Sequence, residues 1–146
     1  MIIPLIDYSI TVYGFSYKSH YQRIEKLLNR AARVITSSGS EYSILFQELN
    51  WKTFLCRRNY FCSIFIYKCL HKLSAKKCQN IFKYKESVLK TRAISNWELV
   101  LPNYKFTTFM NSIFYTGIQI YKKLDINIRK KQRFNNFVNA LKKDFN

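Results

Sequence analysis

Four cations recur at intervals of three and four residues in one stretch of the chain: Arg23, Lys26, Arg30 and Arg33. Guanidinium and ammonium groups in such a row neutralise a line of phosphates, the guanidinium by its donor fork and the ammonium as a point charge. The same spacing also describes the solvated flank of an ordinary surface helix, and that alternative stays open here. Arg57, Arg58 and Arg92 are further candidates for phosphate contacts; for Arg57 and Arg58, in the first turns of the central helix where the dipole does not favour cations, solvation at the helix edge is the alternative. The wider charge balance supports an anionic partner. With 25 Lys and Arg against 8 Asp and Glu the formal net charge is +17, and no acid interrupts the nine cations between Asn50 and Lys85. A field of that sign attracts polyanions, so nucleic acid or an anionic membrane surface leads the list of partners.

Other chemistry lacks its residues. Two-metal nucleotidyl transfer needs carboxylates converging on two ions, and the acids here stand singly, with no Asp-Asp pair. Gly14, Gly39 and Gly117 are too far apart for a phosphate-cradling loop. Cys56, Cys62, Cys69 and Cys78 are separated by six, seven and nine residues, without the close pairs of a zinc site. Cys62 and Cys69 share a helical face and read as small core side chains. His20 and His71 have no nucleophile motif around them. The expectation is a protein with no catalytic residue, metal, cofactor or small-molecule substrate, and no polymerase activity of its own. The apolar start Met1-Ile2-Ile3-Pro4-Leu5-Ile6 lacks a basic n-region, meets Asp7 at once and has no small-residue cleavage site, so it does not read as a signal peptide. With reduced thiols, the expectation is an intracellular protein, nuclear or cytoplasmic, rather than a secreted one.

The four cations are to be positioned by a helix over residues 19–36. Ile24, Leu27, Leu28, Ala31, Val34 and Ile35 fall within an arc of roughly 120° and form its expected core face, with the cations beside it within roughly 80°. Ser19 and Gln22 have capping-box spacing, and Ser37-Ser38-Gly39-Ser40 ends the helix. Before it, residues 1–18 read as helical with a stop at Gly14. After it, Ser40 is placed to cap a short helix from Glu41 to Leu49.

Trp51 to Leu73 is apolar almost all round and is expected to be the central helix; its densest apolar run, Tyr60 to Leu70, contains Lys68 and is much shorter than the ~20 residues needed to span a bilayer. His71 and Lys72 in its last turn would complement the carbonyl end of the helix dipole. A loop with a short helix near Cys78 to Phe82 follows, and then an extended stretch from Thr91 to Pro102. Thr108 is placed to cap a helix from Phe109 to Leu124. Gly117 lies on its apolar face, a position that implies close approach of another element. A charged connection, Asp125 to Gln132, leads to a last helix from Arg133 to Phe145 with Phe134, Phe137, Val138, Leu141 and Phe145 in one stripe. The pattern predicts a single all-α domain over residues 1–146: an irregular helical bundle around a central hydrophobic helix, with one short extended segment near 97–102. Leu27, Leu28, Ala31, Phe61, Phe65 and Ile113 are its expected core.

The order of these features resembles the region that follows the polymerase core in reverse transcriptases of non-LTR, LINE-type, jockey-like retrotransposons. Asp7-Tyr8-Ser9-Ile10-Thr11-Val12-Tyr13-Gly14 stands where that family has a Tyr-Gly-x-x-x-Trp-Gly-like helix, with Ser9 for the first Gly and Tyr13 for the Trp. Leu27-Leu28-Asn29-Arg30-Ala31-Ala32-Arg33-Val34-Ile35-Thr36 is similar to its Leu-Gln-Asn-Arg-Ala-Leu-Arg-Ile-Ile helix. Leu49-Asn50-Trp51, Tyr67-Lys68, Thr91-Arg92, Leu99-Val100-Leu101-Pro102 and Phe137-Val138-Asn139-Ala140-Leu141-Lys142 follow in the family's order. Tyr121-Lys122-Lys123-Leu124-Asp125 departs from its Trp-Asn-x-Leu-Pro. The resemblance implies a diverged fragment lacking the upstream fingers and palm with their catalytic aspartates. It also implies a helical module for handling template and primer, which would bind nucleic acid without sequence specificity. The alternatives are a membrane-surface or protein-binding helical module and a non-functional retroelement remnant.

Overall fold

The computed structural model describes residues 2–85, 98–103 and 106–145. The chain is all-α: among the described residues the regular elements are helices, and the sole β feature is an isolated antiparallel bridge between Tyr84 and Leu99. That bridge carries the extended segment expected near 97–102, with Lys85 N donating to Glu98 O at 2.8 Å and Val100 N to Lys83 O at 2.9 Å. The rest of the extended stretch, residues 91–97, lies outside the described residues. Two compact units divide the chain, Met1–Arg58 and Asn59–Asn146.

In the first unit α1 (Ile3–Asp7) opens with Pro4, whose missing N–H costs nothing in a first turn. Ser9, in the left-handed region at φ 55°, separates it from α2 (Ile10–Tyr13). α2 stops at Gly14, as its sequence predicts. The Gly14 position is buried, and a Cβ there would sit 2.9 Å from Arg58 Cγ. α3 (Lys18–Thr36) is the helix of the cations, followed by α4 (Tyr42–Glu48) and the first turn of α5 (Phe54–Leu70). Both expected serine caps fail. Ser19 lies inside the first turn of α3, whose cap residue is Tyr17, and Glu41 rather than Ser40 precedes α4. Ser40 instead pairs its hydroxyl with Ser38 at 2.7 Å. α3 does end at Ser37, which takes the left-handed position at φ 51°.

The core of this unit is Ile10, Phe15, Leu28, Ala32, Leu45, Phe46 and Phe54. Phe54 stacks on Tyr13 and Tyr21, at ring separations of 6.0 and 6.3 Å. Its backbone N–H donates to Glu25 Oε1 at 2.7 Å. A carboxylate of α3 therefore satisfies an N–H at the start of α5, where a helix leaves its first donors unpaired. This bond corrects the expected docking face of α3. The buried positions Leu28 and Ala32 and the inward-facing Tyr21 and Glu25 centre roughly 90° away from the middle of the apolar arc. Leu27, Val34 and Ile35 are left 59%, 79% and 55% exposed, and Ala31 half-buried. Periodicity locates an apolar arc, but which edge of it docks is decided by the partner, here the Phe54 ring and the donors at the start of α5.

In the second unit Cys62, Ser63, Ile66, Tyr67 and Cys69 of α5 are buried. Cys62 and Cys69 thus take the core role their spacing predicts. Phe61 and Phe65, expected in the core, are half-buried, as is Ile113. The buried edge of α5 is carried by small side chains and by Tyr67. The Tyr67 ring stacks on Phe137 at 4.0 Å and on His71 at 4.1 Å, and its hydroxyl donates to the carbonyls of Lys131 and Gln132 at 2.9 and 2.7 Å. α5 ends at Leu70, so His71 lies beyond its last turn, and burial pushes the imidazole pKa down. A group so held toward neutrality does not serve the dipole role expected of it.

A 3₁₀ turn, Lys76–Cys78, stands where a short helix is expected a few residues later. The helix expected over 109–124 is broken into α6 (Thr107–Met110), a π-helical stretch (Ile113–Gly117) and α7 (Ile118–Lys123). Thr108 is inside α6, not before it. The break has a local cause: Ser112 is extended, its hydroxyl donates to Phe109 O at 2.6 Å, and Thr116 Oγ1 donates to Met110 O, bonds that compete with the helical ladder. Gly117 fulfils its expectation. A Cβ there would meet Cys62 Sγ and Ile113 Cγ1 at 3.0 Å and Ile66 Cδ1 at 3.4 Å, so α5 approaches this backbone as closely as packing allows. Asp125 caps the short α8 (Ile126–Arg129) by accepting from Asn127 N at 3.1 Å. α9 (Phe134–Asp144) buries Phe137 and Leu141 from its predicted stripe, with Phe134, Val138 and Phe145 half-buried.

Candidate nucleic-acid interface

α3 is built from strong helix formers: Gln22, Arg23, Glu25, Lys26, Leu27, Leu28, Arg30, Ala31, Ala32 and Arg33 follow one another with only Ile24 and Asn29 between them. With Leu28 and Ala32 turned inward, the opposite side of the helix carries Arg23, Lys26, Arg30 and Arg33, and all four are exposed. Ten residues separate the first from the last, so the strip is about 15 Å long. At 3.4 Å per phosphate along one strand, that length faces about four phosphates. Neither of the ion pairs among the described residues, Arg57 with Asp7 and Lys85 with Glu98, involves a member of the strip. Glu25, the one acid of α3, is committed to Phe54 N, and burial pushes its carboxyl pKa up against the opposing pull of backbone donors from Phe54 and Leu55. Lys26 and Arg30 therefore stand as like charges at i, i+4, an arrangement that costs about 0.2–0.5 kcal/mol in the absence of an anion. Arg33, in the last turn, is favourable to the carbonyl end of the helix.

The other candidates fare differently. Arg57 closes a two-point pair with Asp7, Nε to Oδ1 at 2.7 Å and Nη2 to Oδ2. Arg58 lies with its guanidinium 5.1 Å from the centre of the Phe15 ring and donates to Gly14 O at 3.4 Å. Cations in the first turns of a helix are disfavoured by its dipole, and Arg57 and Arg58 meet an acid, a ring and a carbonyl within the first unit. No local signal could have announced Asp7, fifty residues away in sequence from Arg57. Arg92 lies outside the described residues. What the sequence reading missed on α3 is the line of exposed aliphatic side chains, Leu27 and Val34, that borders Arg23 and Arg30; the arc contains it, but only the docking geometry leaves it bare.

No group of three or more His, Cys, Asp or Glu placed to hold a metal occurs among the described residues, and no helix there is long and apolar enough to cross a membrane. Compared with protein-family models, with curated proteins and with solved structures, the chain matches none.

Proposed function

We propose that this chain is a retroelement-derived, non-catalytic helical module that binds nucleic acid through phosphate contacts without reading bases. The observation that carries the reading is the exposed row Arg23, Lys26, Arg30 and Arg33 on one side of a helix whose only acid is turned to another task. Phosphate contacts release condensed counterions, so affinity is tied to salt. Four contacts to duplex correspond to a log–log slope near −3.6, from about 0.9 per phosphate. The test is fluorescence anisotropy of a labelled duplex over a salt series. Arg30→Ala with Arg33→Ala should flatten the slope by about 1.8 and leave sequence preference alone, because phosphates carry no base information. An unchanged slope in a folded double variant would reduce the strip to a solvated flank.

A second reading is favoured by the exposure of Leu27, Val34 and Ile35. In it the aliphatic line docks on a protein or an anionic membrane surface, and the cations beside it steer the encounter. Such docking would survive high salt and be lost in Leu27→Ser with Val34→Ser.

A further inference from the structure

We propose that the second unit binds single-stranded nucleic acid in a groove centred on Phe114, with a base against its exposed ring and the adjoining phosphates on Lys72 and Lys83. This inference rests on the nucleic-acid reading but uses a surface other than α3. Two adjoining hollows share Asn80, Phe82, Lys83 and Val100 as a common wall. The first, about 420 Å³, is apolar and is lined further by Ile81, Pro102, Phe109, Phe114 and Ile118. The second, about 580 Å³, adds Lys72 and Lys85 with Gln79 and Tyr84. Both volumes lie in the range of small-molecule sites, large enough for a base on one side and its phosphates on the other.

The geometry of the first hollow is that of a stacking platform. Phe109 and Phe114 are parallel, 9° apart at 6.1 Å, and the buried Phe82 supports Phe114 at 6.4 Å. Phe114 is 39% exposed, which leaves ring surface open to a ligand. A flat apolar slot by itself would suit many occupants; the second hollow narrows the choice. Its described lining holds three lysines and no acid. Lys85 is engaged by Glu98 at 3.1 Å, while Lys72 and Lys83 are exposed. The Gln79 amide is spent on Lys72 O and Ser74 O at 3.2 and 2.8 Å, which braces the wall without closing it. Charge complementarity continues beyond the groove: residues 59–146 contain 17 of the 25 Lys and Arg but only four of the eight Asp and Glu. A ring-sized apolar hollow joined to a cationic one matches the alternation of base and phosphate along a strand. Duplex is excluded from this site because its bases present their faces to one another, whereas single strands offer unstacked faces to aromatic side chains.

The test uses the full chain with labelled oligothymidylate and, separately, a labelled duplex of equal length, each followed by anisotropy. Phe114→Ala is expected to weaken oligothymidylate binding by about 5- to 150-fold, the loss typical of one base–aromatic stack, while Phe114→Trp retains it and duplex affinity stays within about twofold. Lys83→Ala, at an exposed position, is expected to flatten the single-strand salt slope by about 0.7, and it decides the matter if Phe114→Ala does not fold. Unchanged oligothymidylate binding in a folded Phe114→Ala, or in Lys83→Ala, overturns the groove while leaving the α3 reading standing if duplex still binds through Arg30 and Arg33. Displacement of oligothymidylate by polyglutamate in wild type but not in Phe114→Ala would show that the groove takes an acidic peptide, and also overturns it. A wild-type chain that binds neither oligonucleotide defeats both readings together.

Discussion

Glu25 offers the sharpest test of how the first unit is held together, because two opposed effects act on one carboxyl. It accepts the Phe54 N–H at 2.7 Å at the start of α5, so Glu25→Ala removes a helix cap. Loss of such an acceptor costs about 0.5–2 kcal/mol, and about 1 kcal/mol is expected at this half-buried site. Glu25→Gln keeps an acceptor oxygen and removes only the charge. The carboxyl pKa is raised because burial outweighs the backbone donors, so the folded state holds a proton that the unfolded chain has released. The sign follows: the folded state binds more protons from about pH 4.3, the ordinary carboxyl value, up to the raised folded pKa, and stability falls with pH across that window. Glu25's contribution is fully present below the unfolded pKa and is lost as pH rises through the folded one. Urea denaturation followed by circular dichroism at about pH 4 and about pH 7 should therefore show Glu25→Gln gaining on wild type as pH rises. Glu25→Ala should be the least stable of the three at about pH 7. Wild type gaining on Glu25→Gln across that interval would refute the reasoning, since the donors and the positive helix end would then outweigh burial.

Two further perturbations separate packing from pattern. Leu28→Ala should cost about 2–5 kcal/mol, whereas Leu27→Ala should stay within about 0.5 kcal/mol and Leu27→Asp should still fold, in the same urea titrations. Gly117→Ala gains about 1 kcal/mol of helix propensity but places a methyl 3.0 Å from Cys62 Sγ. Overpacking of about 1–3 kcal/mol should win, giving a net loss near 1 kcal/mol that Cys62→Ala in the same chain reverses in part, as a double-mutant cycle would measure, the Ile113 Cγ1 contact at 3.0 Å remaining.

The all-α class, the last helix with its Phe137 and Leu141 stripe, the paired burial of Cys62 and Cys69 and the crowding at Gly117 were legible because each depends on period or on residue size alone. The failures share another cause. Ser19 and Ser40 have the right side chains one or two residues from the true caps, and a cap depends on backbone geometry at one position. The 109–124 segment keeps its apolar face but breaks at Ser112, whose hydroxyl gives the backbone a local alternative to the helical bond. Arg57 read as a candidate phosphate contact or a solvated cation because its partner, Asp7, is remote in sequence. At the candidate site the cationic row itself was legible, being a matter of spacing within one helix. The groove of Phe82, Phe109 and Phe114 was not, since it forms from segments that no period relates.

The division of α3 into three edges decides what any experiment on it can mean. Leu28, Ala32 and Glu25 hold the helix to its unit; Arg23, Lys26, Arg30 and Arg33 point the other way; Leu27 and Val34 run between the cations and the remainder of the apolar arc. Because the aliphatic line does not hold the helix down, polar substitutions there leave the fold intact, and because the cations form no described ion pair, alanine at Arg30 or Arg33 leaves no carboxylate orphaned. Each edge is therefore separately removable. Polyanion binding that falls with the cations but not with Leu27 and Val34 is phosphate contact; binding that falls with Leu27 and Val34 at any salt is docking of an apolar partner, and the cations then serve only its approach.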